Sequence, residues 1–461
     1  MELAGKNALV LGLGVSGLSM ARWLGHRGAR VRVADTRRQP PCAAQLQREM
    51  PGTLLETGAF RPDSFKSVDL IAISPGVPMT EPMVAAAAQR GVPVVGDIEL
   101  FAQALPAIVA AKVLAITGSN GKSTVTEMAG AMCRQAGLRT VVAGNIGLPV
   151  LDALLEIERA AAEGERKPDV FVLELSSFQL ETTYSLDPHV AACLNLSEDH
   201  LDRYSGMGVY AQAKARIFGS TGVQVLNRQD VWCRGMAIPN RKIFTFGLDE
   251  PATAREWGLT ESQGEPWLAQ GNQKLISVSQ LRVTGLHNAA NALAALALAR
   301  AIELPYPPLL QALIEFEGLP HRVQKIREIE GVSFYDDSKG TNVGATVAAL
   351  NGLRQKIVLI AGGEGKGQDF APLKPAVAAH ARSVVLIGRD REKIAQAIEG
   401  SGVPVQRARD MDEAVRMGLA AAHDGDAVLL SPACASFDMF RNYEHRGQVF
   451  VQAVNQLAEA R

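Results

Sequence analysis

The chain reads as an α/β protein of three domains, each an open sheet flanked by helices. Three observations predict this. A length of 461 residues exceeds what one ordinary hydrophobic core accommodates. Short apolar runs alternate with helix-forming stretches, and most runs end in glycine or polar residues, as strands do when ligand loops follow them. Two glycine turns of different design follow such strands, Gly12-Leu-Gly14-Val-Ser-Gly17 and Thr117-Gly118-Ser119-Asn120-Gly121-Lys122-Ser123-Thr124. The expected boundaries are 1–100, 101–318 and 319–461.

In the first unit, strand Asn7–Leu11 leads into the first glycine turn and a helix through Arg27. A second strand, Arg30–Ala34, ends in Asp35-Thr36-Arg37, and a third, Val68–Ile73, ends in Ser74-Pro75-Gly76. Glycines at a helix start, with an acid after the next strand, form a Rossmann-like dinucleotide fingerprint on a parallel sheet. An NAD-dependent dehydrogenase would use these glycines. So would any other nucleoside diphosphate, and a tight turn without a ligand is the plain alternative. Asp35 could accept hydrogen bonds from a ribose or from the N–H edge of a base such as uracil.

The second unit carries the more telling turn. Apolar Val113–Ile116 precedes it and a helix-like stretch, Val125–Gln135, follows. This is a P-loop ATPase-like junction: backbone N–H groups of the loop and the helix N-terminus cradle phosphates, Lys122 neutralises them, and the Ser123 hydroxyl suits Mg²⁺. The standard pattern wants glycine at position 116, where this chain has Ile116, so the loop is a shortened variant. Strand Val170–Leu175 carries Glu174 near its end, a place from which a carboxylate can hold Mg²⁺. Strand Val190–Leu196 runs into Ser197-Glu198-Asp199-His200, which makes His200 a candidate metal ligand. Lys214 reads as an exposed helix lysine whose ammonium cannot bind Mg²⁺, which takes oxygen donors. From Val223 to Val283 the pattern is irregular and strand-like and marks no site; Ala289–Ile302 is an alanine-rich helix.

Gly318-Leu319-Pro320 turns the chain into the third unit, where strands at Ser333–Tyr335, Lys356–Ile360, Val384–Ile387 and Ala427–Leu430 predict a second Rossmann-like sheet. Composition narrows the function. A net charge of −1 with no basic run gives no nucleic-acid footprint. Five scattered cysteines without a C-x-x-C pair argue against a disulfide frame or thiolate metal site and for a reducing compartment. No segment resembles a signal peptide or a membrane span, so a cytoplasmic protein is expected.

Thr117–Thr124, Glu174-Leu-Ser-Ser-Phe-Gln179, Asp199-His200, Lys214, Leu286-His287-Asn288, His321-Arg322, Asp336-Asp337-Ser-Lys339 and Ser431-Pro-Ala-Cys-Ala-Ser436 occur in the order and spacing of the Mur ligases. These are the ATP-dependent amide-forming enzymes of peptidoglycan precursor synthesis, which cell shape and division depend on. The resemblance covers nearly the whole chain except 250–273 and the charged turn 163–167. Asp35-Thr36-Arg37, Ser176–Glu181 and Ser431–Phe440 place the likeness nearest the branch that adds D-glutamate to UDP-N-acetylmuramoyl-L-alanine. The Asp-Asn-Pro-Arg motif of the meso-diaminopimelate-adding relatives is absent.

The resemblance implies a role for each residue. Gly14, Val15, Ser16, Asp35, Thr36 and Arg37 would hold the UDP end, with Asn145 and His200 toward the lactoyl-alanine carboxylate. Gly118, Asn120, Gly121, Lys122, Ser123 and Thr124 would take the ATP phosphates, joined by Arg322, while Asn288 faces adenine and Asp337 the ribose. Ser123 and Glu174 would serve one Mg²⁺ ion, and His200 and a carbamylated Lys214 a second. Lys122, His200 and Lys214 would be catalytic. Lys339, Thr341, Lys366, Ser436 and Tyr443 would form the D-glutamate end. ATP-facing residues on both sides of Gly318 predict closure of the third domain, and a monomer is expected. Another Mur ligase, a folylpolyglutamate synthase-like ligase, an NAD-dependent dehydrogenase and a regulatory ATPase are the competing readings.

Overall fold

The computed structural model describes residues 2–459. The chain forms three sheets, in the order expected. The first is fully parallel, with spatial order β3-β2-β1-β4-β5, from β1 (Asn7–Leu11), β2 (Arg30–Asp35), β3 (Leu54–Thr57), β4 (Leu70–Ile73) and β5 (Val94–Val95). Leu11 aligns with Ala34 on one side and Ile73 on the other, so the turns after β1, β2 and β4 share one edge. Ser74 Oγ donates to the Gly12 carbonyl there at 2.8 Å. At Gly17 a Cβ would collide with that same carbonyl, so only glycine lets the helix Val15–His26 pack this close to the turn.

The helix Asp97–Ile108 carries the chain across the expected boundary at 100. Its Phe101 packs edge-on against Phe171 with ring centroids 5.2 Å apart, which joins the first two units in one core. Among the described residues no helix is long and apolar enough to cross a membrane.

The second sheet has nine strands in the order β14-β13-β12-β11-β10-β9-β6-β8-β7. They are β6 (Lys112–Thr117), β7 (Thr140–Gly144), β8 (Val170–Glu174), β9 (Val190–Cys193), β10 (Val223–Asn227), β11 (Ile243–Phe246), β12 (Glu256–Ser262), β13 (Glu265–Gln270) and β14 (Gln273–Ser277). The sheet is mixed: from β7 across to β12 neighbours run parallel, then β13 is antiparallel to β12 and β14 to β13. The irregular stretch 223–283 thus resolves into five strands. Residues 250–273 supply the β12–β13 hairpin, whose Trp257 is fully buried against Phe244, ring centroids 5.0 Å apart.

β6 lies between β8 and β9, with Ile116 opposite Glu174 and Thr117 opposite Cys193. Ile116 is still inside this strand and fully buried, so the turn begins only at Gly118, whose φ is +156°. That is why glycine is not needed at 116. Strand β9 stops at Cys193, earlier than expected, because Leu194–Leu196 leave the ladder to wrap the loop. The alanine-rich helix starts three residues early, at Leu286, where Gly285 supplies a φ of +99°.

The third sheet has the order β15-β16-β20-β17-β18-β19, from β15 (Gln324–Ile329), β16 (Val332–Asp336), β17 (Ile357–Gly362), β18 (Ala381–Ile387), β19 (Val405–Arg407) and β20 (Ala427–Leu430). It too is mixed, since β15 is antiparallel to β16. Asp336 aligns with Leu430 and Leu430 with Ile360, so Asp337–Lys339 and Ser431 emerge together, facing the phosphate-loop edge of the second sheet.

Candidate active site

Two cavities adjoin the turn at 117–124. One, of about 300 Å³, is lined by Ser119–Lys122, Asn145, Glu174, His200 and Lys214 from the second unit and by Arg322, Lys339, Thr341 and Lys366 from the third. The other, of about 310 Å³, is lined by Asn120, Gly121, Thr124, His287, Asn288 and Asn291, and across the cleft by Arg322, Asp337 and Lys339. The stretch that marked no site contributes Asn227 and Phe246 to its wall.

The turn is gripped from several sides. Gly121, at φ +82°, caps the helix Lys122–Gln135, and a Cβ there would press on the Asn291 side chain. Asn195 clamps Asn120 twice: its Oδ1 accepts from the Asn120 N–H at 2.8 Å, and its Nδ2 donates to the Asn120 carbonyl at 3.0 Å. Ser119 Oγ meets Tyr210 OH at 3.1 Å. Lys122 Nζ bends back to donate to the Gly118 and Ser119 carbonyls, each at 2.9 Å. Burial lowers its pKa, against the nearby Glu174 carboxylate, which favours the ammonium.

Lys214 corrects a sequence expectation. It is 1% exposed, and its Nζ donates to the Gly118 carbonyl at 2.8 Å and lies 4.8 Å from the Tyr210 ring centroid. Burial, reinforced by the Lys122 charge, lowers its pKa to about 7. At neutral pH a large fraction is therefore free amine, the form that reacts with electrophiles.

Glu174 Oε1 accepts from Asn145 Nδ2 at 2.8 Å, whereas its Oε2 is buried with no hydrogen-bond partner. His200 stacks on Phe178, ring centroids 4.6 Å apart, and burial keeps its imidazole pKa below the ordinary value despite Asp199 Oδ2 at 3.5 Å from Nε2. Its lone pair is thus available near neutral pH. Three non-glycine residues lining these cavities hold positive φ: His200 (56°), Val323 (48°) and Lys366 (52°). Such backbone strain persists only where the surroundings enforce it.

The third unit reaches across the cleft at several points. Arg322 Nη2 donates to Ser123 Oγ at 2.8 Å, and Lys366 Nζ pairs with Asp199 Oδ1 at 2.9 Å. Lys339 Nζ sits 3.6 Å from the Tyr443 ring centroid, and burial, with Arg322 and Lys122 nearby, lowers its pKa to about 8. Asp337 accepts from Ser431 Oγ at 2.7 Å, and burial raises its carboxyl to about 7. Asn288 donates to the Thr284 carbonyl at 2.8 Å. Ser436 is buried after β20, and neither it nor Tyr443 lines the two cavities.

The first glycine turn stands apart. A Cβ on Gly14 would meet nothing within 4 Å, so there is open space over the helix start, and Val15 beside it is 64% exposed. Asp35, by contrast, is saturated. It accepts from Leu13 N (2.6 Å), Arg37 N (2.8 Å), Arg37 Nε (2.9 Å) and Arg37 Nη2 (2.6 Å), which fills the sites a carboxylate offers. Its carboxylate therefore shapes the turn and fixes Arg37, and Thr36 and Arg37 are the exposed groups.

Comparison with known proteins agrees with this geometry. Residues 6–96 match a model described as Mur ligase MurD-like, N-terminal domain; 116–299 match Mur ligase middle domain; 321–434 match Mur ligase, glutamate ligase domain. The chain belongs to the Mur ligase family. A Mur ligase named UDP-N-acetylmuramoylalanine--D-glutamate ligase from Methylobacillus flagellatus is 58% identical over 457 residues, 99% of this chain and 98% of that one. Its namesake from Thiobacillus denitrificans is 58% identical over 473 residues, 100% of this chain and 98% of that one. The solved UDP-N-acetylmuramate-alanine ligase of Thermotoga maritima shares the fold with a TM-score of 0.61 at 18% identity, covering 98% of this chain and 99% of that one. As a Mur ligase the chain is an ATP-dependent, amide-bond-forming enzyme with small-molecule substrates, and the dehydrogenase and regulatory-ATPase readings fall.

ATP implies Mg²⁺, and this Mur ligase offers a fit for it. The orphaned Glu174 oxygen beside a phosphate loop is the hard donor Mg²⁺ takes; neutral His200 has a lone pair to offer but is the softer donor, and Lys214 as an ammonium has none. Among the described residues no three His, Cys, Asp or Glu side chains gather into a metal cage. Phosphate oxygens and water must complete the coordination, as is usual for Mg²⁺. Asn195, Asn291, Tyr210 and Asn342 escaped the sequence reading. The loop residues they meet lie far away in the chain, and a lone amide or phenol leaves no pattern.

Proposed function

We propose that this Mur ligase joins D-glutamate to the carboxylate of UDP-N-acetylmuramoyl-L-alanine in peptidoglycan precursor synthesis, with cleavage of ATP. The observation that carries the reaction class is the cavity in which Lys122, Arg322, Lys339 and Lys366 converge beside an unpartnered Glu174 oxygen. It is a site for several anions at once. The substrates follow from full-length relatives sharing one name at 50–58% identity.

A carboxylate does not condense with an amine at neutral pH, because its leaving group is oxide. Transfer of the γ-phosphoryl group to the carboxylate gives an acyl phosphate, whose leaving group is phosphate. Lys122 and Arg322 screen the repulsion between the two anions, the main electrostatic task in such a transfer. Backbone N–H groups of Gly118, Gly121 and Thr124 hold the phosphates, while Asn120, its own N–H taken by Asn195, orders the loop between them; Asn288 faces adenine, and Asp337 accepts from the ribose hydroxyls. Gly14, Val15 and Ser16 bring the helix N-terminus to the diphosphate, while Thr36 and Arg37, held by Asp35, meet the uracil end. Asn145 and His200 orient the substrate carboxylate.

Lys339, Thr341 and Lys366 receive the carboxylates of D-glutamate, with Tyr443 supporting Lys339 and Ser436 shaping the turn behind them. His200, where its lone pair is not given to a metal, and otherwise solvent, takes the amine proton before attack, and closure of the third domain excludes water that would hydrolyse the acyl phosphate. Two Mg²⁺ ions, held by Ser123 and Glu174 and by His200 and a carbamylated Lys214, would supply charge neutralisation at the phosphates. The buried amine of Lys214, with its pKa near 7, is suited to adding CO₂. The enzyme acts as a cytoplasmic monomer.

An ADP-release assay with UDP-N-acetylmuramoyl-L-alanine and a panel of amino acids tests this reading. ADP release that requires D-glutamate is expected. Release with L-alanine or meso-diaminopimelate instead, or with no amino acid at all, overturns it.

A further inference from the structure

The four polar positions of one buried side chain in the third unit are all committed, and three of them face the second unit. Asn342 is 3% exposed and caps the helix Val343–Gly352, its Oδ1 accepting from the Ala345 N–H at 2.9 Å. The same oxygen accepts from Asn120 Nδ2 at 3.2 Å. Its Nδ2 donates to Asn120 Oδ1 at 3.0 Å and to Asp199 Oδ2 at 3.4 Å. An amide has two donor hydrogens and an oxygen with two lone pairs, so this inventory is complete. Asp would lack the donors, Ser the reach, and Gln would carry the amide past its partners.

A second observation is independent of that side chain. At Gly344, in the first turn of the same helix, a Cβ would lie 2.7 Å from Ser197 Oγ and 2.9 Å from Ser197 Cβ. The helix start therefore rests on the strand end that wraps the phosphate loop, at a distance only glycine allows. On the loop side, the Asn120 backbone is fixed by Asn195, so its side chain has a defined place from which to meet Asn342.

We propose that Asn342 is a positioning residue that couples closure of the C-terminal domain to the phosphate loop, and so sets where the amino-acid site stands. Thr341 precedes it directly, and Lys339 is three residues away. Asp199 extends the coupling: one of its oxygens takes Asn342 and the other takes Lys366. Any movement of Asn120 when nucleotide fills the loop is thereby transmitted to Thr341 and Lys366. The inference rests on assigning those residues to the amino acid, as above.

Three variants of the full chain test it: Asn342→Ser and Asn342→Asp, which both keep a helix cap, and Gly344→Ala, which suits a helix better than glycine does. Each is assayed for KM of D-glutamate, KM of the UDP substrate and kcat, and by small-angle scattering with a non-hydrolysable ATP analogue. Asn342→Ser is expected to raise the D-glutamate KM about tenfold or more, since it loses three hydrogen bonds to the second unit, one of them to the Asp199 carboxylate. The UDP-substrate KM should stay unchanged and the radius of gyration should increase. Asn342→Asp, which sets a second carboxylate against Asp199, should do more, and Gly344→Ala should move the same quantities. Wild-type D-glutamate KM and scattering in either Asn342→Ser or Gly344→Ala overturns the proposal, as does a rise of both KM values together. If Asn342→Ser fails to fold, Gly344→Ala decides. A wild-type enzyme that ignores D-glutamate would sink the functional reading instead, and the scattering comparison would still decide the coupling.

Discussion

The turn at Gly12–Gly17 stands open and is held by its own neighbours, whereas the turn at 117–124 is gripped from strand ends, from the helix bearing Tyr210 and Lys214, and from the third unit. Both are strand-to-helix turns that end at a helix N-terminus, the geometry that suits a phosphate. In the first, Asp35, Leu13 and Arg37 satisfy one another within one sheet edge, and the space over Gly14 is free. In the second, Asn195, Tyr210, Lys214 and Asn342 each hold a different atom of the loop. The difference separates binding from chemistry. A turn that only holds a diphosphate can remain solvated. One that must hand over a phosphoryl group needs fixed dipoles and buried charges, which act strongly because water is excluded.

Removing the cation from the gripped turn should have the largest effect. Lys122→Ala is expected to abolish ADP release, a loss of about 10³-fold or more, the scale seen when a preorganised charge is deleted at a transition state. Binding of the UDP substrate, followed by calorimetry, should barely change, because Lys122 belongs to the other turn. Loss of both would erase the division of labour between them.

Next comes Lys214→Ala, expected to lower kcat about 100-fold, with partial recovery on adding short carboxylic acids such as acetate, which can occupy the space of a carbamate. Activity without rescue would leave the lysine a structural donor to Gly118. Activity at the wild-type level would remove it from the chemistry altogether.

The open turn offers a smaller and sharper pair. Gly14→Ala should raise the UDP-substrate KM several-fold and leave thermal stability unchanged, since a Cβ there meets only the space a ligand would fill. Gly17→Ala should destabilise the first unit by about 2–3 kcal/mol, as overpacking typically does, because its Cβ meets the Gly12 carbonyl. Equal effects on KM and stability at both positions would mean that Gly14 serves folding and not a ligand.

These contrasts also explain what could be read in the chain. Both turns were legible because strand, glycines and helix start are contiguous. Alternating strands and helices made an open sheet around β6 legible, but not the order of its strands. Burial of Lys214 was not legible: the helix Met207–Ala215 exposes Val209 while burying Tyr210, Ala213 and Lys214. The i,i+4 spacing of Tyr210 and Lys214 was the signal on offer, outweighed by the usual solvation of lysine. Residues 250–273 hid their strands, although Gln263 and Gly264, with φ of +56° and +77°, are placed as a two-residue hairpin turn. Asp35 carried the right signal with a different consequence, since its carboxylate is used up inside the protein.

pH should act on the two turns with the same sign but in separate windows, and by the smallest amounts. Burial alone would raise the Asp35 carboxyl, but Arg37 and the N–H groups of Leu13 and Arg37 outweigh it and hold the pKa below its ordinary 3.8. The stabilisation is therefore present above 3.8 and lost as pH falls through the lower folded value. Unmodified Lys214 has the same sense in a much higher window. Its folded pKa of about 7 lies under the ordinary 10.5, so between those values the unfolded chain binds more protons and stability rises with pH. Hydrogen exchange separates the two: protection of the Leu13 amide should weaken only in acid, and Asp35→Asn should weaken it at every pH, by about 2 kcal/mol for hydrogen bonds to a charged group. Protection near Gly118 in protein freed of CO₂ should instead grow from pH 7 to pH 9, and Lys214→Met should flatten that slope. A response of the Leu13 and Gly118 amides in one and the same pH window would show that the two turns share one electrostatic environment.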